Sequence, residues 1–143
     1  MELKTKFFDR LTTRELYEIL KIRTAVFVVE QECPYQEVDG TDYDALHLWL
    51  EEKGEIKAYL RAFPKDETTV QIGRVLSADR GVGLGGRIIT AGIDAVREHL
   101  PCEKIYIEAQ TYALPFYEKV GFVTAGEEFL EDGIPHTPMT LKL

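Results

Sequence analysis

Glycine dominates a short segment in the middle of the chain, which reads Arg80-Gly81-Val82-Gly83-Leu84-Gly85-Gly86. The segment joins an apolar run typical of a strand to an apolar pattern with helical spacing. Its backbone N–H groups and the positive end of the helix dipole should therefore face one place. Glycines let an anion approach the backbone closely and accept dihedral angles that other residues resist. We predict a phosphate-binding loop at residues 80–86.

The same loop satisfies the dinucleotide-binding fingerprint, as Gly81-x-Gly83-x-x-Gly86, and Glu108 lies about where a ribose-binding acid is expected. Two features disfavour this alternative. The polar residues Ser77–Arg80 separate the apolar run from the first glycine, whereas in a dinucleotide fold that glycine follows the strand directly. In addition, three antiparallel strands are predicted before the loop, and too little chain follows it for a second parallel half.

A second motif, rich in aromatic residues, follows the loop and reads Phe116-Tyr117-Glu118-Lys119-Val120-Gly121-Phe122. Together with the loop, where Arg80, Gly83 and Gly85 keep the spacing Arg/Gln-x-x-Gly-x-Gly/Ala, it resembles the GNAT superfamily of acyl-CoA N-acyltransferases. The resemblance covers nearly the whole chain. It narrows to the ElaA-like subgroup through five further segments, which are Val26–Gln31, Cys33–Tyr35, Glu37–Gly40, Ala109–Gln110 and Glu131–His136.

This resemblance implies transfer of an acetyl group from acetyl-CoA to a primary amine, by direct attack in a ternary complex. In the family, the pantetheine arm lies along the bulged strand before the loop, and the loop amides take the pyrophosphate. The cofactor-binding residues implied are Val75, Leu76, Ser77, Arg80, Gly81, Val82, Gly83, Leu84, Gly85, Gly86 and Tyr117. A backbone amide near Val75 would polarise the thioester carbonyl. A catalytically silent acyl-CoA-binding sensor or interaction module is the alternative function.

Tyr117 matches the family position whose hydroxyl protonates the leaving thiolate. Ordinary phenol and thiol pKa values of about 10 and about 8.5 suit that transfer. The competing interpretation is a core aromatic beside Phe116 and Phe122.

A general base is also required, because an amine with a pKa of about 10.4 is mostly protonated at neutral pH. The residues that could accept its proton, directly or through water, are Glu30, His47, Glu108, Gln110 and His136. The spacing does not choose among them. An isolated histidine more often has a structural role, and we expect that role for both histidines.

Two arginines, Arg61 and Arg74, occur in runs that otherwise predict buried strands. A buried guanidinium is costly unless it is paired. We expect a salt bridge to a loop carboxylate such as Asp39, with direct contact to the substrate as the alternative. The acidic residues of Glu30–Asp44 are predicted to form a solvated surface, or else to select a cationic amine.

Local signals predict the elements that position these residues. Thr12 and Glu15 fit a capping box at the start of a helix, and Pro101 ends a second helix after the glycines. The predicted order begins with a helix at 13–27, strands at 46–51 and 56–63 joined by a hairpin turn at 52–55, and a strand at 68–76. A helix that contains Ile88 to Val96 and ends at Pro101 follows the glycines, and after it come a strand at 104–109, a short helix at 115–120, and strands at 123–130 and 138–143. This order predicts one mixed α/β sheet. The resemblance implies the GNAT-like form, mostly antiparallel with a central parallel pair.

Composition restricts the class of protein further. The chain has 143 residues, of which 45% are hydrophobic and 29% charged, so we expect one globular domain over residues 1–143. The net charge of −8 disfavours nucleic acid or an anionic membrane as partner, because phosphate binding needs clustered cations. The expected partner is a small-molecule or peptide amine, with a homodimer left open. Two cysteines without metal-site spacing, and no signal peptide, predict a cytoplasmic protein without a metal.

Overall fold

One mixed sheet organises the part of the chain that the computed structural model describes, which is residues 1–78 and 81–143. The strands of this sheet are β1 (Glu2–Phe7), β2 (Leu46–Glu52), β3 (Glu55–Pro64), β4 (Thr69–Ser77), β5 (Lys104–Gln110), β6 (Val123–Thr124), β7 (Phe129–Glu131) and β8 (Ile134–Lys142). They lie in the order β1-β2-β3-β4-β5-β8-β6, with β7 paired to β8. Neighbouring strands are antiparallel except β4 and β5, which form the predicted parallel pair.

The main helices are α1 (Thr13–Arg23), α2 (Leu84–His99) and α3 (Leu114–Lys119), and a π-helical segment (Thr24–Glu30) continues α1. The capping box of α1 is confirmed, because Thr12 Oγ1 accepts the Glu15 N–H at 3.0 Å and Glu15 Oε1 accepts the Thr12 N–H at 2.9 Å. Helix α2 ends two residues before Pro101, as predicted. In the described residues, every helix is too short or too polar to cross a bilayer.

Apolar residues on both faces of the sheet pack against helices. On one face, the buried side chains Ile88, Ile89 and Val96 of α2 join the core formed by β2 to β5 and β8. On the other face, Ile19 of α1 packs with a second buried cluster, which contains Trp49, Tyr59 and Leu76. Alternate residues of a strand point to opposite faces, so each central strand contributes to both sides. The sheet therefore separates an α2 side from an α1 side.

Two tight hairpins have turns of the same backbone conformation. Lys53 and Gly54 join β2 to β3, and Asp132 and Gly133 join β7 to β8; all four residues have positive φ, between 51° and 79°. Two consecutive left-handed residues are the requirement of a type I′ turn, for which Asp-Gly is a strong signal. The hairpin predicted at residues 52–55 is confirmed, whereas the hairpin at Asp132 is not predicted from the sequence.

The predicted strands at the two ends of the chain need correction. Strand β1 is not predicted at all, although it pairs with β2 along its whole length. The predicted strand at residues 123–130 is wrong, because only β6 and β7 form there and residues 125–128 lie between them. A Cβ atom on Gly126 would lie 2.7 Å from Cγ of Pro138, so the chain passes too close to β8 for a side chain. The last strand starts at Ile134 rather than at Pro138.

Strands β4 and β5 pair only at their beginnings. The parallel register joins Thr69–Gln71 to Lys104–Tyr106 and then stops, although both strands continue. Across β4, the register with β3 shifts between Tyr59 and Arg61, which leaves Arg74 without a partner residue at φ 52°. This is the bulge that the resemblance implies. The sheet therefore opens between the second halves of β4 and β5.

Candidate active site

A cleft of about 750 Å³ occupies this opening in the sheet. Its walls come from β4 and β5, from α3 and the first turn of α2, from the loop at residues 31–41, and from the β7–β8 hairpin. Of the residues singled out in the sequence, the cleft brings together Arg61, Arg74, Val75, Leu76, Ser77, Gly85, Glu108, Gln110, Tyr117 and His136. Residues from six separate elements therefore share one space.

The glycine loop forms the start of α2. Gly81 and Gly83 have φ values of 86° and 79°, a left-handed conformation that L side chains rarely adopt, and Gly83 is the N-cap of the helix. The first N–H groups of an α-helix have no intrahelical acceptor, and here they belong to residues 83–86. Such N–H groups with the helix dipole attract an anion. The predicted contribution of Arg80 lies outside the described residues.

The other loop residues differ in how they relate to the cleft. Gly85 lines it, and a Cβ atom there would lie 3.4 Å from the Phe116 ring, so its lack of a side chain keeps this end of the cleft open. Leu84 is buried in the core on the α2 side, so its backbone alone is accessible for ligand binding. Val82 is exposed, and Gly86 has open space above its Cα atom.

Tyr117 lies on α3, and its ring belongs to an aromatic group beside the cleft. It packs edge to face on Phe116 and Phe122, with ring centroids 5.0 and 5.9 Å apart. Burial raises the pKa of the Tyr117 hydroxyl to about 12, so the phenol stays protonated at neutral pH. The residue also lines the cleft, so its packing is compatible with the predicted role as a proton donor, which stays a prediction.

The base candidates divide by position. Glu108, Gln110 and His136 line the cleft, whereas Glu30 and His47 do not. The two oxygens of Glu108 accept hydrogen bonds from Tyr106 Oη at 3.1 Å and from Gln71 Nε2 at 3.4 Å. Gln110 donates to Gln31 Oε1 at 3.3 Å, and an amide is not basic.

His47 is a structural residue, as expected. It is completely buried, its Nε2–H donates to the Asp42 carbonyl oxygen at 3.0 Å, and its Nδ1 accepts the hydroxyl of Tyr59 at 2.6 Å. Burial lowers the pKa of His47, which keeps the ring neutral. Both ring nitrogens are occupied, so this histidine has no nitrogen with which to accept a proton from a substrate.

A buried ionic network lies beside the cleft, with Arg23 at its centre. Arg23 is inaccessible to solvent, and its Nε and Nη1 donate to Glu37 Oε2 and Asp42 Oδ1, each at 2.7 Å. This arginine is not among the residues predicted from the sequence. A signal exists, because Arg23 is four residues from both Ile19 and Phe27 and therefore lies on the apolar face of the helix.

The other arginines extend this network to β3 and β4. Arg61 donates to both oxygens of Asp39 at 2.9 and 2.8 Å and to Asp42 Oδ1 at 3.0 Å, which confirms the expected salt bridge. Arg74 donates to Glu37 Oε2 at 2.9 Å and to Asp39 Oδ2 at 3.4 Å. The solvated interpretation of the acidic loop is therefore wrong for Glu37 and Asp42, which are buried because they pair with arginines.

The dinucleotide alternative fails on the topology. The described strands contain the single parallel pair β4 and β5, whereas a dinucleotide fold needs two parallel βαβαβ halves. The described side chains also contain no group of three His, Cys, Asp or Glu residues arranged to bind a metal ion.

Comparison with known proteins gives the family. Residues 13–143 match the family described as acetyltransferase (GNAT) domain. A UPF0039 protein of Schizosaccharomyces pombe is 40% identical over 147 residues, which cover 100% of this chain and 98% of that protein.

Two solved structures are similar over the whole fold. An acyl-CoA N-acyltransferase from Pseudomonas aeruginosa has a TM-score of 0.91 at 41% identity, with 99% of both chains covered. Escherichia coli ElaA has a TM-score of 0.94 at 35% identity, with 99% of this chain and 100% of that chain covered. With the opened parallel pair and the glycine loop at α2, these matches show that this chain belongs to the GNAT acetyltransferase family.

Proposed function

We propose that this protein is an N-acetyltransferase that transfers the acetyl group of acetyl-CoA to a primary amine, by direct attack in a ternary complex. Membership of the family supports acyl transfer from an acyl-CoA to an amine in general. The observation that carries the proposal is the cleft between β4 and β5, which has the anion-binding start of α2 at one end and Tyr117 in its wall.

The acyl donor is proposed to lie along β4. The N–H groups of residues 83–86 would bind its pyrophosphate, with Gly81 and Val82 contributing backbone. The backbone of Val75, Leu76 and Ser77 would hold the pantetheine arm, since these residues line the cleft beyond the bulge. A backbone amide near Val75 would polarise the thioester carbonyl.

Tyr117 is the proposed general acid for the leaving thiolate. Its raised pKa ensures that the hydroxyl carries a proton when the carbon–sulfur bond breaks. Among the described residues, no hydrogen bond engages this hydroxyl, so its proton remains available to a ligand in the cleft.

The charges of the cleft favour a cationic acceptor. Glu108, Glu131 and Asp132 contribute carboxylates to its lining. The cleft also contains Arg61 and Arg74, but both are held in salt bridges to acidic residues of the loop. A protonated primary amine is therefore attracted, whereas an anionic acceptor finds the guanidinium groups already paired.

We propose that the reaction occurs in the cytoplasm within one domain that spans residues 1–143.

The test is the release of CoA from acetyl-CoA in the presence of primary amines, amino acids, short peptides, alcohols and carboxylates. We expect release with amines and with free peptide N-termini. Butyryl-CoA, used in parallel, measures the preference for the acetyl group. A clear preference for hydroxyl or anionic acceptors would contradict the proposal.

A binding experiment separates the enzyme from the catalytically silent alternative. Acetyl-CoA at 100 times its Kd should stabilise the fold by about 2.7 kcal/mol, through mass action alone. NAD should cause no shift. Stabilisation by acetyl-CoA without acetylation of any acceptor would identify a sensor or interaction module instead.

A further inference from the structure

His136 lies at the wall of the cleft, on the α1 side of the sheet. It is the third residue of β8, and in register it is opposite Gln110 of β5 and Phe129 of β7. Glu108 is two residues from Gln110, so all three of the polar side chains Glu108, Gln110 and His136 share one face. The histidine is 8% exposed and lines the cleft, which also contains Tyr117.

A backbone hydrogen bond determines the tautomer of His136. Its Nδ1 lies 2.7 Å from the carbonyl oxygen of Ile134. A carbonyl oxygen can only accept, so Nδ1 carries the hydrogen. In the neutral ring, Nε2 therefore has the lone pair. No described residue forms a hydrogen bond to Nε2, and this nitrogen is free to accept a proton.

Two neighbours lie against the ring of His136. The ring of Phe129 stacks on it, with centroids 5.8 Å apart and an interplanar angle of 26°. Glu131 Oε2 lies 3.7 Å from Nε2, which is too long for a hydrogen bond. A ring held through its other nitrogen by a hydrogen bond to a backbone carbonyl, so that the second nitrogen has the lone pair, is a common arrangement of a basic histidine.

We propose that Nε2 of His136 is the general base that deprotonates the acceptor amine, an inference that depends on the proposed function. Nε2 takes one proton from the substrate ammonium and passes it to solvent. The amine nitrogen then forms a bond to the acetyl carbon while the carbon–sulfur bond breaks, and Tyr117 gives its proton to the thiolate. The second proton that leaves the nitrogen restores the Tyr117 hydroxyl, so the products are the amide, CoA thiol and one released proton.

The remaining candidates are less suited to this step. Both oxygens of Glu108 already accept hydrogen bonds, and both nitrogens of His47 are engaged outside the cleft. Glu30 does not line the cleft. Among the described residues, His136 is the cleft residue that combines a basic nitrogen with an unused lone pair.

Several charged groups line the cleft with His136 and enter any pH dependence of the reaction. The β7–β8 hairpin contributes Glu131 and Asp132, and β5 contributes Glu108. The loop across the cleft contributes Asp39, which is paired with Arg61 and Arg74 of β3 and β4. The carboxylates of Glu108, Glu131 and Asp132 favour a bound ammonium group.

Two substitutions of His136 remove its basic nitrogen and keep a polar side chain in its place. His136→Asn keeps a donor near the position of Nδ1 and removes Nε2, and His136→Gln places an amide near Nε2 that cannot accept a proton. With acetyl-CoA and the panel amine of highest kcat/KM, we expect kcat/KM to fall by about 10²- to 10⁴-fold at pH 7. Acetyl-CoA should still raise Tm as in the wild type. His99→Asn, an exposed site at the end of α2, is the matched control and should retain wild-type turnover.

The pH profile distinguishes a base from a structural residue. In the wild type, kcat/KM should rise with pH and level off once the base is neutral. In both variants kcat/KM should continue to rise toward the pKa of the amine, about 10.4. The difference in kcat/KM between variant and wild type should therefore shrink above pH 9. Variants with the profile and the turnover of the wild type would overturn the inference while the proposed function stands. A wild-type chain that acetylates no amine would contradict both.

A measurement on the wild-type protein tests the inference even where the variants fail to fold. The ¹⁵N chemical shifts of the ring nitrogens distinguish the two neutral tautomers, and the His136 ring is assigned through its contacts with Phe129. We expect hydrogen on Nδ1 of His136 and, as an internal contrast, on Nε2 of His47. Hydrogen on Nε2 of neutral His136 would overturn the proposal, because the nitrogen in the cleft would then lack a lone pair.

Discussion

At the scale of single residues, Tyr117 has two separable parts. Its ring packs against Phe116 and Phe122 in a residue that also lines the cleft, and its hydroxyl makes no hydrogen bond to a described residue. A substitution that removes the hydroxyl alone therefore tests the chemistry without creating a cavity in the aromatic group.

We expect Tyr117→Phe to reduce kcat by about 10²- to 10⁴-fold, the usual contribution of a positioned general acid. The Kd of acetyl-CoA should change little, because the ring and its contacts remain. Steady-state kinetics with isothermal titration calorimetry measure both quantities.

The matched control for this prediction is Tyr17→Phe, which removes an exposed hydroxyl from α1. It should leave kcat unchanged. If chemistry is rate-limiting and Tyr117→Phe retains the wild-type kcat, then Tyr117 is only a core aromatic.

At the scale of elements, the arginine network joins α1, the loop at residues 31–44, β3 and β4. Arg23 links Glu37 to Asp42, and Arg74 and Arg61 bind the same two carboxylates from the strands. This network fixes the loop that forms one wall of the cleft. Oδ2 of Asp42 and Nε of Arg61 are buried without a hydrogen-bond partner among the described residues. Loss of another donor would therefore add to the buried polar atoms that are already unpaired.

We predict that Arg23→Met lowers the free energy of unfolding by about 3–5 kcal/mol, because it leaves buried carboxylates short of a positive partner. Urea unfolding followed by circular dichroism measures this loss. Arg97→Met removes an exposed, 3.9 Å ion pair with Asp94 and should cost less than about 1 kcal/mol. Equal effects of the two substitutions would contradict the role given to the network.

At the scale of the whole molecule, buried titratable groups connect stability to pH. Burial lowers the pKa of His47 below its ordinary value of 6.5. Burial by itself would raise the pKa of Asp39, but hydrogen bonds from Arg61 and its charge outweigh this and lower it to about 2. In both cases the folded protein holds its proton less strongly than the unfolded chain does.

The lowered pKa values of His47 and Asp39 determine how stability changes with pH. Below about pH 6.5 the unfolded chain protonates His47 more than the folded protein does, so stability falls as the pH falls. The contribution of Asp39 is complete above its unfolded pKa of about 3.9 and is lost as the pH falls through about 2. We therefore expect urea midpoints to decrease from pH 7.5 to 5.5 and again toward pH 3. His99→Gln, at the exposed end of α2, should keep the first decrease, and a midpoint that rises on acidification to pH 5.5 would contradict this account.

The sequence by itself determined the features that depend on neighbouring residues. The capping box of Thr12 and Glu15, the hairpin at Gly54, the glycine loop before α2 and the end of α2 before Pro101 all depend on the conformational preferences of a few adjacent residues. For that reason most of the elements, and the family that the two motifs resemble, could be predicted before any contact was known. The roles of Tyr117 and of the cofactor-binding residues stay predictions.

Tertiary structure decided the features that depend on distant residues. His47 and His136 are alike in sequence, but one has both nitrogens occupied in the core while the other keeps a lone pair at the cleft. Arg23 is stable in the core only because the loop brings Glu37 and Asp42 to it. Strand β1 forms because β2 offers it a partner, about 45 residues along the chain. A sequence pattern shows which groups a residue carries, but hydrogen bonding, burial and charge depend on the groups that the fold places beside it.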